Sequence, residues 1–112
     1  MDLCSRSEQN LQVVSVGEPR IDAAVAIEFK DAMRAATDGG SDTVVLDLSA
    51  VQFIDSSGLG AIVAAMKHMG QSRRLALAGL TPTVEKVFRL TRMDSVFSVF
   101  PTLDGALSEL KH

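Results

Sequence analysis

Apolar residues recur along this chain in two alternating patterns, one typical of strands and one typical of helices. Short runs rich in Val, Ile and Leu, bounded by Gly, Pro or polar clusters, predict strands. The run at residues 43–48 is almost continuously apolar, which is typical of a strand covered on both faces. The predicted strands are residues 11–17, 43–48, 74–78 and 96–100, and the polar residues 2–9 are a candidate for a further strand at the sheet edge.

Between the strands, apolar residues fall at helical spacing, with helix start and stop signals around each segment. Asp22 is a suitable N-cap for a first helix, which ends before Gly39. Thr81 is followed by a proline, a typical start for the third helix. The predicted helices cover residues 22–38, residues 57–69, a segment from Pro82 and a segment from Pro101 to near the C terminus. The core-facing residues of the second helix are predicted to be Leu59, Ile62, Val63 and Met66.

This order of elements predicts an α/β fold, with a mixed sheet of four to five strands and about four helices packed on it. A chain of 112 residues usually holds one core, so we expect one domain over residues 1–112. The junction at residues 53–58 leads from an apolar segment into the second helix. It should lie at the carboxyl edge of the sheet, where open α/β sheets generally place their sites.

Composition and charge exclude several classes of function. The net charge is −3, and no basic run is longer than the pair Arg73 and Arg74, so we expect no nucleic-acid binding. One cysteine and two histidines are too few for a typical metal cluster, and the lone thiol favours a reducing compartment. The first residues contain an acid and no apolar segment, and no apolar run approaches the length of a membrane span. We therefore expect a cytoplasmic protein without direct membrane insertion, metal or cofactor.

The segment at residues 55–60, Asp-Ser-Ser-Gly-Leu-Gly, has a composition that folding alone does not require. Asp55, Ser56 and Ser57 could each cap the helix, although one cap suffices. Two glycines follow, each costing about 1 kcal/mol against alanine inside a helix. The outward face of the helix is predicted to carry Gly58, Ala61, Ala64 or Ala65, and His68, a small-residue face that a partner protein could approach closely. The structural alternative is an ordinary tight turn with a helix cap.

Catalytic interpretations of these serines fit poorly. Neither Ser56 nor Ser57 is flanked by the glycines of a Gly-x-Ser-x-Gly nucleophile elbow. His68 lies three turns further along the helix, so it is badly placed for a Ser-His pair. No Gly-x-x-x-x-Gly-Lys phosphate loop is present. We therefore expect a protein that is not an enzyme.

A serine at a helix N-terminus is nevertheless a good acceptor of a phosphoryl group. The free N–H groups and the positive end of the helix dipole stabilise an anion there. The added charge of about −1.5 to −2 would lie beside Asp55 on a docking face. Phosphorylation is thus predicted to repel a partner while the fold stays intact.

Four segments together carry a resemblance to a known family. They are residues 44–49 (VVLDLS), 53–60 (FIDSSGLG), 75–80 (LALAGL) and 87–94 (VFRLTRMD), with Phe97 and Phe100. Over residues 11–110 the sequence resembles the STAS domain of bacterial anti-sigma factor antagonists.

The resemblance implies a partner switch. The unphosphorylated antagonist would bind an anti-sigma factor that is itself a serine kinase, phosphorylation of Ser56 would break this complex, and a PP2C-type serine phosphatase would restore it. The partner-binding residues implied by the motif and the predicted helix face are Asp22, Asp55, Ser57, Gly58, Leu59, Ala61, Ala65 and His68. The chain departs from the family's Gly-x-(apolar)-Asp turn, because residues 17–22 read Gly-Glu-Pro-Arg-Ile-Asp.

Two other classes of function remain. The chain could be a constitutive STAS subunit of a membrane lipid transporter, in which the helix face is a permanent contact and no kinase acts. The retained Asp-Ser-Ser-Gly favours a regulatory module over this alternative, because a permanent interface needs no phosphorylatable hydroxyl. An enzyme is the weakest alternative, for the reasons given above.

Overall fold

The computed structural model of the protein describes residues 1–111. The strands are Leu3–Glu8 (β1), Leu11–Val16 (β2), Arg20–Ile21 (β3), Thr43–Asp47 (β4), Phe53–Ile54 (β5), Arg74–Ala78 (β6) and Ser98–Phe100 (β7). The α-helices are Ala26–Thr37 (α1), Ser56–Met69 (α2), Pro82–Leu90 (α3) and Leu103–Leu110 (α4), with a 3₁₀ helix at Met93–Ser95.

Five strands form the main sheet in the order β1-β2-β4-β6-β7. The edge strand β1 is antiparallel to β2, and all the other neighbours are parallel. This mixed sheet with four α-helices confirms the predicted fold class. The polar candidate strand at residues 2–9 is present as β1.

Both faces of the sheet are covered, as the apolar run of β4 predicted. On one face, alternate strand residues such as Val44 and Leu46 pack with residues of α1, α2 and α3. On the other face, Val45 packs with Ala106 and Leu107 of α4. The side chains of β4 alternate between the faces because the strand has a two-residue period.

The first helix is capped three residues later than predicted, so the assignment of Asp22 as its N-cap is wrong. The capping position is Val25, which has no capping side chain, and α1 starts at Ala26. The Asp22 carboxylate instead accepts a hydrogen bond from the Ala24 N–H at 3.2 Å, and the Asp22 carbonyl accepts one from the Val25 N–H at 3.0 Å. Asp22 therefore holds a turn that precedes the helix.

Two shorter features also differ from the prediction. Strand β7 begins at Ser98 rather than at residue 96, because Val96 and Phe97 still donate backbone hydrogen bonds to the Met93 carbonyl just after the 3₁₀ helix. Strands β3 and β5 form a separate two-stranded parallel sheet, which the sequence did not predict. Each has only two residues, too few to show a pattern.

Candidate functional site

The small β3–β5 sheet positions the Asp-Ser-Ser-Gly junction. Arg20 pairs with Phe53 and Ile21 with Ile54, and the Asp55 N–H donates to the Ile21 carbonyl at 3.4 Å. The side chains of Ile21 and Ile54 are buried in the core. The following residue, Asp55, caps α2, so the helix start is fixed to the body of the protein.

Asp55 joins two segments of the chain through its carboxylate. Its Oδ1 accepts a hydrogen bond from the Gly58 N–H at 2.8 Å, which caps α2, and its Oδ2 accepts one from the Ala23 N–H at 3.1 Å. The hydrogen bond from Gly58 is the largest cause of a lowered Asp55 pKa; partial desolvation opposes it, and the bond from Ala23 adds to it. Of the three residues that could cap α2, Asp55 is the one that does so. Its lowered pKa means that the carboxylate is stably ionised.

Gly58 fits a close approach between α2 and β3. A Cβ at this position would overlap the carbonyl oxygen of Ile21 and lie 2.7 Å from its carbonyl carbon. Any side chain would have to push the helix away from the small sheet. Gly58 is buried, so its placement on an outward partner-binding face is wrong.

The two serines are the first residues of α2, and both are exposed to solvent. Their backbone N–H groups belong to the first turn of the helix, where N–H groups have no hydrogen-bond acceptor within the helix. The serine hydroxyls are thus not needed as caps, since Asp55 fills that role. This arrangement leaves a free hydroxyl at the positive end of a 14-residue helix.

The predicted outward face of α2 is largely covered by α1. Leu59, Ala61 and Ala65 are buried, although Ala61 still lines a groove between α1 and α2. The placement of Ala61 and Ala65 on a solvent-facing side of α2 is therefore wrong, whereas Leu59 lies in the core as its helical spacing predicted. A direct contact of these three residues with a partner stays a prediction. Conversely, Val63 and Met66 of the predicted core stripe are only half-buried.

A shallow groove of about 180 Å³ runs between α1 and α2, beside the helix start. Ser57, Gly60 and Ala64 of α2 line one side, and Ile27 and Lys30 of α1 line the other. Ile27 is 72% exposed although it is a large apolar residue. Ile27 was not among the predicted site residues. An isoleucine on the polar side of the first helix is nevertheless a signal in the sequence that could have identified it.

Asp22 lies on the same side of the site as Arg20, another residue that sequence reasoning missed. The Arg20 Nε lies 3.0 Å from Asp22 Oδ2, and its guanidinium carbon lies 4.3 Å from the centre of the Phe53 ring. Ala23, next to Asp22, donates the hydrogen bond to Asp55. The structure thus brings Asp22, Asp55 and the serines to one region.

His68 does not belong to this region. It is exposed in the last turn of α2, about 18 Å along the helix axis from Ser56 at 1.5 Å per residue. A cationic or polar residue suits this end of the helix because the backbone dipole is negative there. Its predicted contact requires a partner that covers the whole length of α2.

Within residues 1–111, no three His, Cys, Asp or Glu side chains come close enough together to hold a metal ion. No helix in that range combines the length and the apolar character needed to cross a membrane.

The chain is similar in sequence and in structure to proteins named as anti-sigma factor antagonists. The anti-sigma-F factor antagonist RsfB of Mycobacterium tuberculosis is 29% identical over 99 residues, covering 88% of this chain and 80% of the relative. A Bordetella bronchiseptica protein named as a putative anti-sigma factor antagonist, BtrV, is 30% identical over 92 residues, covering 81% and 79%. A crystal structure of an anti-sigma factor antagonist from Mycobacterium paratuberculosis has a TM-score of 0.88 at 29% identity, covering 99% and 94%.

Two more distant structures share the fold. The anti-sigma factor antagonist SpoIIAA, solved in unphosphorylated and phosphorylated forms, matches with TM-scores of 0.76 and 0.69 at 19% identity. The match to the unphosphorylated form covers 98% of this chain and 96% of SpoIIAA. The match to the phosphorylated form covers 97% of this chain and 99% of SpoIIAA. The murine solute carrier 26 family member A9 anion transporter matches with a TM-score of 0.81 at 18% identity; 95% of this chain is covered, but only 18% of the transporter.

The STAS domain model matches residues 6–106, which include the small sheet, the Asp55 cap and both serines. This match agrees with the antagonists named above and with the order of strands in the sheet. The chain belongs to the STAS domain family.

Proposed function

We propose that this protein is an anti-sigma factor antagonist whose binding is switched by phosphorylation of Ser56. The observation that carries the proposal is the exposed Ser56 hydroxyl at the start of α2, beside a cap that Asp55 already supplies. The names of its relatives supply the anti-sigma factor as partner class. The two states in which SpoIIAA was solved support a phosphorylated form of the same fold.

In this proposal the unphosphorylated protein binds an anti-sigma factor that has serine kinase activity. The γ-phosphoryl group of ATP moves to the Ser56 Oγ, ADP leaves, and a base of the kinase takes the hydroxyl proton. A PP2C-type serine phosphatase hydrolyses the phosphoester and restores binding. The protein acts in the cytoplasm as the binding partner and phosphate acceptor, without catalytic activity of its own.

The switch acts at the surface because Ser56 is exposed and makes no contact in the core. A phosphoryl group there would be stabilised by the N-terminal N–H groups and dipole of α2, so the helix remains folded. Against a partner surface shaped for a hydroxyl, the same dianion would be repelled by acidic groups or left desolvated. Phosphorylation therefore weakens binding with little effect on folding.

The proposed partner surface differs from the predicted helix face. It consists of Asp22, Ser56, Ser57, Gly60 and the exposed Ile27 beside the α1–α2 groove. Asp55 contributes at its edge, because its carboxylate is largely used within the protein. His68 contributes only if the partner extends along α2.

The proposal is tested by capture followed by phosphorylation. Wild-type protein on a column should retain, from an extract of the source cells, a protein with a serine kinase domain that also binds a sigma factor. With ATP, the purified kinase should add about 80 Da, one phosphoryl group, to the wild-type protein. Ser57→Ala, the matched exposed neighbour, should still gain this mass, whereas Ser56→Ala should not. A mass gain that persists in Ser56→Ala would contradict the proposal.

The same experiment separates the switch from a constitutive transporter subunit. The fold shared with an anion transporter gives that alternative its support. A permanent subunit would be captured with membrane transport proteins, and its binding would not respond to ATP. Retention of a transporter complex that Ser56→Ala and Ser56→Glu leave unchanged would establish the alternative.

A further inference from the structure

The small sheet places Arg20 on the surface next to Phe53, in the strand pair that leads into the proposed phosphorylation site. It pairs in register with Phe53, three residues before Ser56, and its side chain is 58% exposed. The ring of Phe53 lies beneath the guanidinium group, with 4.3 Å from its centre to the guanidinium carbon. This stacking limits the side-chain entropy that Arg20 loses when it binds an anion.

Among the residues that the structure describes, the charged side chains on the segments next to the start of α2 include Asp55, Asp22, Arg20 and Lys30. Asp55 caps the helix and is occupied by two backbone N–H groups. Asp22 forms an ion pair with Arg20, with 3.0 Å between the Nε and Oδ2 atoms. Lys30 lies across the groove that Ser57 lines, and no anionic partner is found for it among the described residues. Arg20 and Lys30 are thus the two cations that could respond to a new anion on Ser56.

We propose that Arg20 exchanges its ion pair with Asp22 for one with the phosphoryl group on Ser56, and so recognises the phosphorylated state. This inference rests on the proposed function. The Asp22 side chain is 21% exposed and carries one charge, and its Oδ1 already accepts a hydrogen bond from the Ala24 N–H. Because the arginine of this pair is 58% exposed at the surface, the pair holds it only weakly. A phosphoryl group carries a charge of about −1.5 to −2 and offers three oxygens, to which a guanidinium can bind in a bidentate manner. Arg20 then stabilises the phosphorylated form, and Asp22 is released from its cation.

The test uses protein in which phosphoserine is incorporated at position 56 during translation, so it does not depend on the kinase. The ³¹P NMR chemical shift, followed from pH 4 to pH 9, reports the second pKa of the phosphoserine. A neighbouring cation favours the dianion and lowers this pKa. Arg20→Gln should therefore raise it by about half a unit or more, and Arg20→Lys should recover part of the difference.

Two controls make the result specific. Arg89→Gln removes an equally exposed arginine, 60% against 58%, from a similar ion pair with Glu85 on α3. It should leave the phosphoserine pKa unchanged. Lys30→Gln tests the competing cation, and it should change the pKa less than Arg20→Gln does. Circular dichroism confirms that each variant is folded.

The outcomes separate this inference from the proposed function. Equal pKa values in Arg20→Gln and Arg89→Gln, or a larger effect of Lys30→Gln, would overturn the role of Arg20 and leave the kinase proposal standing. A clear Arg20 effect without any phosphorylation by the captured partner would reject the kinase proposal alone. Asp22→Asn gives a second measurement. Asp22→Asn should lower the phosphoserine pKa more when Arg20 is present than when it is combined with Arg20→Gln. The reason is that loss of the Asp22 charge frees the Arg20 guanidinium to bind the phosphoryl group, and a glutamine has no charge to free.

Discussion

Gly58 lies so close to the carbonyl group of Ile21 that no other residue fits without moving either α2 or β3. The contact joins the first turn of the helix to the small sheet that positions Asp55 and the serines. Gly58 was predicted to lie on a docking surface, but it is a buried residue that packs α2 against β3. The exposed surface formed by Ser56 and Ser57 ends one residue before Gly58 and resumes at Gly60.

Gly58→Ala should destabilise the fold by roughly 1–3 kcal/mol, because the clash of the added methyl group outweighs its helix propensity. Gly60→Ala is the matched control two residues away, where a Cβ would meet no atom within 4 Å. It should be neutral or stabilise the helix by up to about 1 kcal/mol. Urea denaturation measures both changes, and equal effects of the two substitutions would contradict the packing argument.

Asp55→Asn should remove a stabilisation that depends on pH. The Asp55 pKa is lowered in the folded state, so its ionised form stabilises the fold above the ordinary value of 3.8. This contribution is lost as the pH falls through the folded-state pKa. Urea denaturation of both proteins should show a clear difference at pH 7 that shrinks towards pH 3. Asp31→Asn, an exposed substitution in the middle of α1, should follow the wild type. A difference that stays constant with pH would contradict the carboxylate's role.

Ser56→Glu should weaken binding to the anti-sigma factor by about tenfold or more, since a buried like charge or unpaired anion is costly at an interface. The melting temperature should stay within about 2 °C of the wild type, because an exposed substitution away from packing contacts has little effect on stability. Isothermal titration calorimetry and a thermal melt measure the two quantities. A collapse of the melting temperature would mean that the charge acts on folding and not on the interface.

Ile27→Glu should weaken binding to the same partner by about tenfold or more if the α1–α2 groove is part of the interface. Leu90→Glu gives a matched control, since Leu90 is 71% exposed against 72% for Ile27 and lies at the end of α3. Its substitution should leave binding unchanged. Surface plasmon resonance with the purified partner compares the two variants. The opposite ranking would place the interface on α3.

The sequence predicted the main sheet well because its strands have strong patterns. The buried run of β4, and the segment that forms β6, are apolar and bounded by polar residues, so their positions followed directly. The helix start at the serines also followed, to within one residue, from the density of capping groups. These features depend on local chemistry, which a single sequence displays.

The remaining features depend on contacts between distant segments. Asp22 has the residue type of a helix cap, but its neighbours Arg20 and Ala24 use its carboxylate, and the turn is tied to the distant Asp55 through the Ala23 N–H. The sides of α2 were misassigned because apolar and small residues surround the helix almost completely, so spacing alone could not show which side α1 covers. The role of Ile27 in lining the groove depends on residues of α2 such as Ser57 and Gly60, which are distant from it in the sequence.

Helix α4 lies alone on the face of the sheet opposite to α1, α2 and α3. A reporter dye attached there would be separated from the proposed interface by the full thickness of the sheet. Ser108 is exposed on α4, and Cys4 is the only native thiol, so the double substitution Cys4→Ser and Ser108→Cys gives a single labelling position. The architecture thus allows partner exchange to be followed in real time without a label on the surface that is being exchanged.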